Sequence, residues 1–370
     1  LTQIREWTFE DCTGLSEMVI PAKVETIGSS AFDGCSGLTS VTLNDGLKKI
    51  GSKAFYGCAR LTSIHIPDSV TTIYAQAFRN CSKLAECNYP VGWTSAGSSS
   101  SYEIFAGTLL KTLEIPEGIK AIPAGAFYGC GNFEYFDLPE SLTQIQGWTF
   151  EDCTNLSEMV IPAKVETIGD SAFRGCTGLT SVVIPEGVPM IDGIAFAGCT
   201  GLTSIVIPES VTKIEWGAFK ECGSLEDVYY AGNKTQWDEI EIAEYNEPLL
   251  NAAIHFNSVG PCPELTLDRE YITLSVGAEP VQLQSFPEYA RKAVVWSVEN
   301  PDGVNVIEVS GDGCVTPLNA GTAYVVASLN TGDGTLTARC RVDVTGKAGS
   351  EDVLGVDLGT KKVTTELYST

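Results

Sequence analysis

The chain has 370 residues, with 23 Lys and Arg against 47 Asp and Glu, for a formal charge of −24. So acidic a balance argues against nucleic acid and anionic membrane surfaces as partners, because both require clustered basic side chains. No stretch approaches the roughly 18 apolar residues of a membrane-spanning helix, and the length allows two domains or more.

No signal peptide is visible, and the chain opens without Met, inside a repeat at Leu1-Thr2-Gln3-Ile4, as a mature or trimmed fragment does. Phenylalanine recurs at 9, 32, 55, 78, 105, 127, 150, 173, 196 and 219, in steps of 23 except for 27 before and 22 after Phe105. Cysteine follows three residues after each phenylalanine except Phe105, where Thr108 stands. A fixed period of this length marks a stacked array. The unit is L-x-x-V/I-x-I-P-x-x-V-x-x-I-x-x-x-A-F-x-x-C, as at Leu179, Val182, Ile184-Pro185, Val188, Ile191, Ala195-Phe196 and Cys199. Alternation over L-x-x-V-x-I predicts a short strand, and proline ends it because it cannot donate to a continuing ladder. Val and Ile then point inward from a second extended segment, and the Ala-Phe step brings a ring into the interior. One unit cannot bury its apolar side alone, so stacking must supply the core. The cysteines read as small buried thiols in one core slot. No CxxC pair exists to suggest zinc, although stacked turns about 5 Å apart leave a bridge open on distance alone.

Two irregularities stand out. Residues 1–28 nearly repeat residues 142–169, an offset of 141, which predicts near-superposable local structure. Between Phe78 and Phe105, a four-residue insertion follows Gly92-Trp93-Thr94-Ser95-Ala96-Gly97 with four serines and Tyr102. This composition predicts a protruding loop, with Trp93 and Tyr102 either as exposed contacts or packed on the flank. After Cys222, Val228-Tyr229-Tyr230 reads as a last strand of the repeat. Thr235-Gln236-Trp237-Asp238 has the form of a capping box opening a short helix, and Ala253-Ile254-His255-Phe256 reads as a terminal strand. Together they form a lid, with Trp237 in it.

Residues 259–263 form a stiff Gly-Pro linker. Residues 264–346 hold short alternating stretches divided by Asn/Gly/Asp turns, which suits a β-sandwich. There Trp296 and Cys340 point inward while Cys314 is out of phase with Val315, so no Cys314–Cys340 bridge is expected. Gly311-Asp312-Gly313 and Gly332-Asp333-Gly334 read as hairpin turns rather than calcium loops. The tail, residues 347–370, carries strand-type alternation at Val353, Val356 and Val363 and has no assigned role.

The period, the Ile-Pro step, the Ala-Phe pair and the cysteine resemble the BspA-like leucine-rich repeats of bacterial and some protozoan surface proteins, over residues 1–258. Leu274 to Gly277, Trp296 to Pro301, Gly313 to Thr316 and Asn319 to Ala323 resemble the group 2 bacterial immunoglobulin-like domain. The expected fold is therefore mainly β: a solenoid of about ten 23-residue units, closed at its C-terminal end, then an immunoglobulin-like β-sandwich. The first resemblance implies an extracellular, cell-surface protein that adheres to host proteins or to other cells.

Catalytic signals are sparse. The only histidines are His65 and His255, with no nucleophile or carboxylate at a recognisable spacing, no phosphate-binding glycine loop is present, and buried thiols make poor nucleophiles. No cofactor or metal is expected. The acid pairs Glu10-Asp11 and Glu151-Asp152 read as solvated surface charge. The fifth strand position points outward, and its last four members are Val160, Val183, Val206 and Tyr229, flanked at the third position by Glu158, Ser181, Ser204 and Asp227. This row is either ordinary sheet surface or a groove for an extended partner. A carbohydrate-binding component or a structural spacer is the alternative. The aromatics open to sugars on this reading are Trp93, Tyr102, Tyr135 and Tyr229.

Overall fold

A computed structural model describes residues 1–97, 102–258, 265–286, 294–301, 303–330 and 335–346. The linker 259–263, the serines 98–101 where the insertion was expected to protrude, the Gly332 turn and the tail 347–370 lie outside the described residues. The chain divides into two units, Leu1–His255 and Phe256–Thr370.

In the first unit each repeat makes one coil with two short strands. The first strands stack in parallel: Ser181–Val183 pairs with Ser204–Ile207, and that with Asp227–Tyr230. Register places Val182, Ile205 and Val228 inward, all buried, and Val183, Val206 and Tyr229 in one outward row. The second segment, expected only to be extended, forms its own ladder. Gln3–Ile4, Thr26–Ile27, Lys49–Ile50 and Thr72–Ile73 make one sheet, and six more strands from Ala121–Ile122 to Glu241–Ile242 make another. All but the last bury their isoleucine, at most 1 % exposed at Ile27, Ile50, Ile73, Ile145 and Ile168, while Ile242 is half-buried.

The third side of each coil is a turn around the phenylalanine. Its ring faces inward because residues two before and two after it adopt left-handed backbone, as at Trp148 (φ 59°) and Asp152 (φ 57°), or Lys53 (φ 54°) and Gly57 (φ 66°). Glycine takes the second of these positions in most coils, as expected for positive φ. At Gly175 it is also a spatial need, since a Cβ there would lie 2.1 Å from Asp152 Oδ1. The turns are laddered as well: Phe32 N–H donates to Ala54 O, and Phe150 N–H to Ala172 O, both at 2.8 Å. Seven buried cysteines, at 35, 58, 81, 153, 176, 199 and 222, have a second role beyond filling space. The thiol of each donates to the carbonyl of the phenylalanine one coil back, as from Cys176 to Phe150 and from Cys199 to Phe173, both at 3.1 Å. Thr108, lacking the thiol, turns its hydroxyl to Phe105 O in its own coil at 2.8 Å.

The rings form columns. From Phe9 through Phe105 they stack at 5.1–5.4 Å with planes within 13°, and from Phe127 through Phe219 at 5.3–5.7 Å within 18°. Trp93 stands between the columns, edge-on to Phe105 (6.3 Å) and to Phe127 (6.1 Å). It is 2 % exposed, and its indole N–H donates to Ser95 O at 2.9 Å. The exposed-contact reading of Trp93 is thus overturned: the long coil supplies a ring where the spacing would otherwise leave a gap, and a satisfied N–H lets tryptophan be buried. The second strand ladder breaks here and nowhere else among the described residues, and the first also breaks here, as it does between Thr42 and Ser63 and between Met159 and Ser181. Residues 109–115 form no strand, although Leu109 N–H still reaches Leu84 O, and the Thr72 ladder ends in a single bridge to Ser95.

The far end is closed as expected, with one change. The helix Lys234–Asp238 exists, but its capping box is Asn233 with Gln236 rather than Thr235 with Asp238. Asparagine at 233 places its oxygen on Gln236 N–H while the Gln236 side chain returns to Asn233 N–H, so the helix starts before Thr235 takes the cap position. Trp237 packs edge-on against Tyr230 at 5.2 Å. Buried Asn246 ends the turn ladder. Its side-chain oxygen accepts from Phe219 N–H at 3.0 Å, in place of the carbonyl that another coil provides, and its amide donates to Glu215 O and Ala243 O.

The second unit is sandwich-like. Tyr271–Ser275, Thr335–Thr345, Gly321–Asn330 and Val295–Glu299 form one sheet, and Val281–Gln282, Cys314–Pro317 and Ile307–Val309 another. Ile272, Val315, Val325, Cys340 and Val342 make the core, with Trp296 packed against it. Cys340 is buried, Cys314 is only partly so, and both are free thiols. Asp312 sits in the tight turn between the strands Ile307–Val309 and Cys314–Pro317, where Gly313 N–H donates to Ser310 O at 3.0 Å.

Candidate functional site

Outward side chains of the strand face come from alternate residues of strands held in register, so the surface repeats at the rung spacing of about 5 Å. The predicted row is on this face but is not evenly open. Val160 is 79 % exposed, Val183 half-buried, Val206 8 % and Tyr229 7 % exposed. A four-residue apolar stripe is therefore corrected to an open Val160 with Val183 beside it. Val206 lies between its register partners Val183 and Tyr229. Tyr229 is covered by His255 of the closing strand, with the rings stacked at 4.7 Å and 18°. In the flanking row Ser181 is exposed and Ser204 half-buried, while the side chain of Glu158 lies outside what is described. Tyr135, on the third position of its strand, is 52 % exposed.

At the end of the face stands a group that spacing alone did not reveal. His255 Nε2 lies 2.7 Å from Asp227 Oδ1, and Asp227 pairs in register with Ser204. The order is serine, aspartate, histidine. A nucleophilic serine needs the histidine next to it, with the acid behind; here the acid is in the middle. The arrangement orients His255 over Tyr229 and does not have the order of a serine triad. Farther along, Ser63, Ile64, His65, Glu86, Cys87 and Asn88 line a shallow depression of about 400 Å³. Its Asn88 is committed to structure, since its amide bonds both Ile66 N–H (2.7 Å) and Ile66 O (2.9 Å).

Two further features concern chemistry. Burial pushes the Cys35 and Cys222 thiols up to about 12 and holds Cys153 and Cys176 well above the usual thiol range. Cys12, on the first coil, is exposed. The reading of Glu151 as solvated charge is overturned: it is 3 % exposed, 2.7 Å from Arg174 Nη1, and burial raises its carboxyl to about 7 despite that partner. Asp152, Glu10 and Asp11 are exposed as expected. Tyr102 is half-buried and lies on Trp148, rings 6.1 Å apart and 29° from parallel. That flank holds aromatic surface missed in the sequence, at Trp7, Trp148, Trp216 and Tyr245. Among the described residues no group of His, Cys, Asp and Glu could hold a metal ion, and no helix is long and apolar enough to cross a membrane.

Comparison with known proteins places these features in context. The family model described as "BspA type Leucine rich repeat region" matches six copies over residues 2–123 and 98–226. A leucine-rich repeat protein from Bacteroides ovatus has a similar solved structure, with 27% identity, a TM-score of 0.54, and coverage of 75% of this chain and 70% of that one. A leucine-rich cell surface protein from Faecalibacterium prausnitzii is 28% identical over 65% of this chain and 86% of its own, with a TM-score of 0.31. The Treponema pallidum leucine-rich repeat protein is 28% identical over 56% of this chain and 77% of its own, with a TM-score of 0.34. No curated protein matches the chain.

Proposed function

The chain belongs to the BspA-type leucine-rich-repeat family, and on that premise we propose that it is a non-catalytic bacterial cell-surface binding protein. It acts as an adhesin whose strand face contacts host extracellular proteins or proteins of neighbouring cells. The observation that carries this reading is Val160, 79 % exposed immediately after the strand Glu158–Met159, with Val183 and Ser181 on the strand of the next coil. A large apolar side chain left open on a rigid, repeating surface suits an extended partner laid along the rungs. The reading as a binder rather than an enzyme draws support from thiols that burial keeps protonated and from the unproductive Ser204–Asp227–His255 order. The solenoid with its closing unit, residues 1–258, presents the surface. Residues 264–346 serve as an immunoglobulin-like spacer, a role supported by their two-sheet core.

The test is an array of host matrix proteins and glycans probed with the chain and with Val160→Lys/Val183→Lys. Val206 is left alone because a buried lysine there would disturb the fold. Protein-selective binding that falls at least about tenfold in the variant, equivalent to about 1.4 kcal/mol, supports the reading. Binding that ignores both lysines removes the strand face as the site. Glycan-selective binding favours a carbohydrate-binding component on Tyr135, and no binding at all favours a spacer.

A further inference from the structure

Two aromatic pairs are held open on the turn flank of the solenoid, away from the strand face. The left-handed position two residues before each phenylalanine carries Trp148, and Tyr245 occupies the equivalent position in the closing coil. Trp216 adjoins that row. Trp148, Trp216 and Tyr245 are 40 %, 46 % and 46 % exposed. Their orientation is fixed: Trp148 stacks on Tyr102, and Trp216 packs on Tyr245 with centroids 5.0 Å apart. Room for the first pair comes from Gly125, where a Cβ would lie 2.1 Å from the Tyr102 ring. Three rungs separate Trp148 from Trp216, about 15 Å. Rigid rings that remain half open offer large contact area at little entropy cost.

Charge selects the occupant. Residues 1–125 hold 10 Lys and Arg against 12 Asp and Glu, a net of −2, whereas residues 126–255 hold 5 against 20, a net of −15. Charge carried for solubility alone has no reason to gather in one half. Asp170 and Asp192 lie between the aromatic pairs, and exposed Glu244 precedes Tyr245. The Lys220 ammonium, 5.8 Å from the Trp216 ring centroid, shows that this ring already receives a cation.

We propose that this flank docks an extended, basic polypeptide segment of a partner protein. Its Lys and Arg side chains lie with their stems and cationic ends on Trp148 and Trp216, and the surrounding acids supply long-range attraction. The surface is separate from the strand face, so the two readings stand or fall independently.

The experiment titrates the intact chain with a fluorescent twelve-residue peptide of alternating Lys and Ser, and with its Glu/Ser counterpart, at low and high salt. Wild type should bind the basic peptide, weakening as salt rises, and ignore the acidic one. Trp148→Ala/Trp216→Ala should weaken binding at least tenfold with an unchanged salt slope, because every charge remains. Trp148→Phe/Trp216→Phe should restore most of the affinity, which separates loss of the ring face from loss of fold. Val160→Lys/Val183→Lys should bind within twofold of wild type. Equal binding by wild type and the alanine variant overturns the proposal and leaves only diffuse attraction. Tighter binding of neutral oligosaccharides than of the basic peptide overturns it in favour of a glycan site.

Discussion

Residues 1–28 and 142–169 differ at three positions, Arg5, Glu6 and Gly14 against Gln146, Gly147 and Asn155, yet they hold different chemistry. Their backbones agree: strands Gln3–Ile4 and Gln144–Ile145 correspond, and so do the left-handed Trp7 (φ 55°) and Trp148 (φ 59°). Their surroundings do not. Phe9 is half-buried and Phe150 fully buried, Cys12 is exposed and Cys153 buried, and Glu10 is exposed while Glu151 is 3 % exposed. Coil 142–169 has a packed coil on either side, and its next coil offers Arg174 where the first copy meets Asp33. Local sequence sets the shape of a coil, and its neighbours set what its side chains do.

The strongest way to test that contrast is to remove matching rings. Phe150→Ala should cost about 4 kcal/mol and Phe9→Ala about 1, read from urea unfolding of the solenoid, because only the first leaves a closed cavity. Equal costs would mean that the neighbours matter less than the coil itself.

Acid dependence should differ next. Glu151 is raised from 4.5 to about 7 by burial, so the folded state holds its proton more tightly than the unfolded state. Its contribution to stability is greatest below about pH 4.5, declines as pH rises towards 7, and is level above. That decline should amount to about 2 kcal/mol, vanish in Glu151→Gln, and be untouched by Glu10→Gln in unfolding midpoints measured from pH 4.5 to 8.

A smaller effect concerns the thiols. Cys153→Ala should cost about 1 kcal/mol by uncovering the Phe127 carbonyl to which the thiol donates, whereas Cys12→Ala should cost nothing measurable. In native protein a thiol reagent should label Cys12 promptly and Cys153 only on opening. Prompt labelling of Cys153 would refute the buried column of thiols.

Much of this was legible in the sequence because the repeat gives each slot one residue type: Phe and Cys mark the turn, and Leu, Val and Ile mark the strand core. What the repeat does not encode is what crosses between coils. Trp93 lies in the longer coil, where no repeat frame says whether a ring points in or out. Burial of Tyr229 depends on His255, from a strand outside the repeat, and burial of Glu151 depends on an arginine one coil ahead. Trp7 and Trp148 sit at a left-handed position that carries Ser, Lys, Gln, Glu, Ile or Gly in other coils, and Trp216 one residue before it, so no fixed residue type announces them. The charge difference between the halves was present in the sequence all along, but a single net charge conceals it.

Trp93 has a consequence for how the array comes apart. A stacked array behaves as a chain of nearest-neighbour couplings, and the ring column and both strand ladders are interrupted at or beside the coil of Phe105. The weakest coupling therefore divides the solenoid into two cooperative blocks of five phenylalanines each, and it falls beside the boundary between nearly neutral and strongly acidic sequence. Heat or mechanical load should release the blocks one after the other, so that hydrogen exchange separates into two classes and the acidic block, held at its outer end by Asn246, outlasts the other.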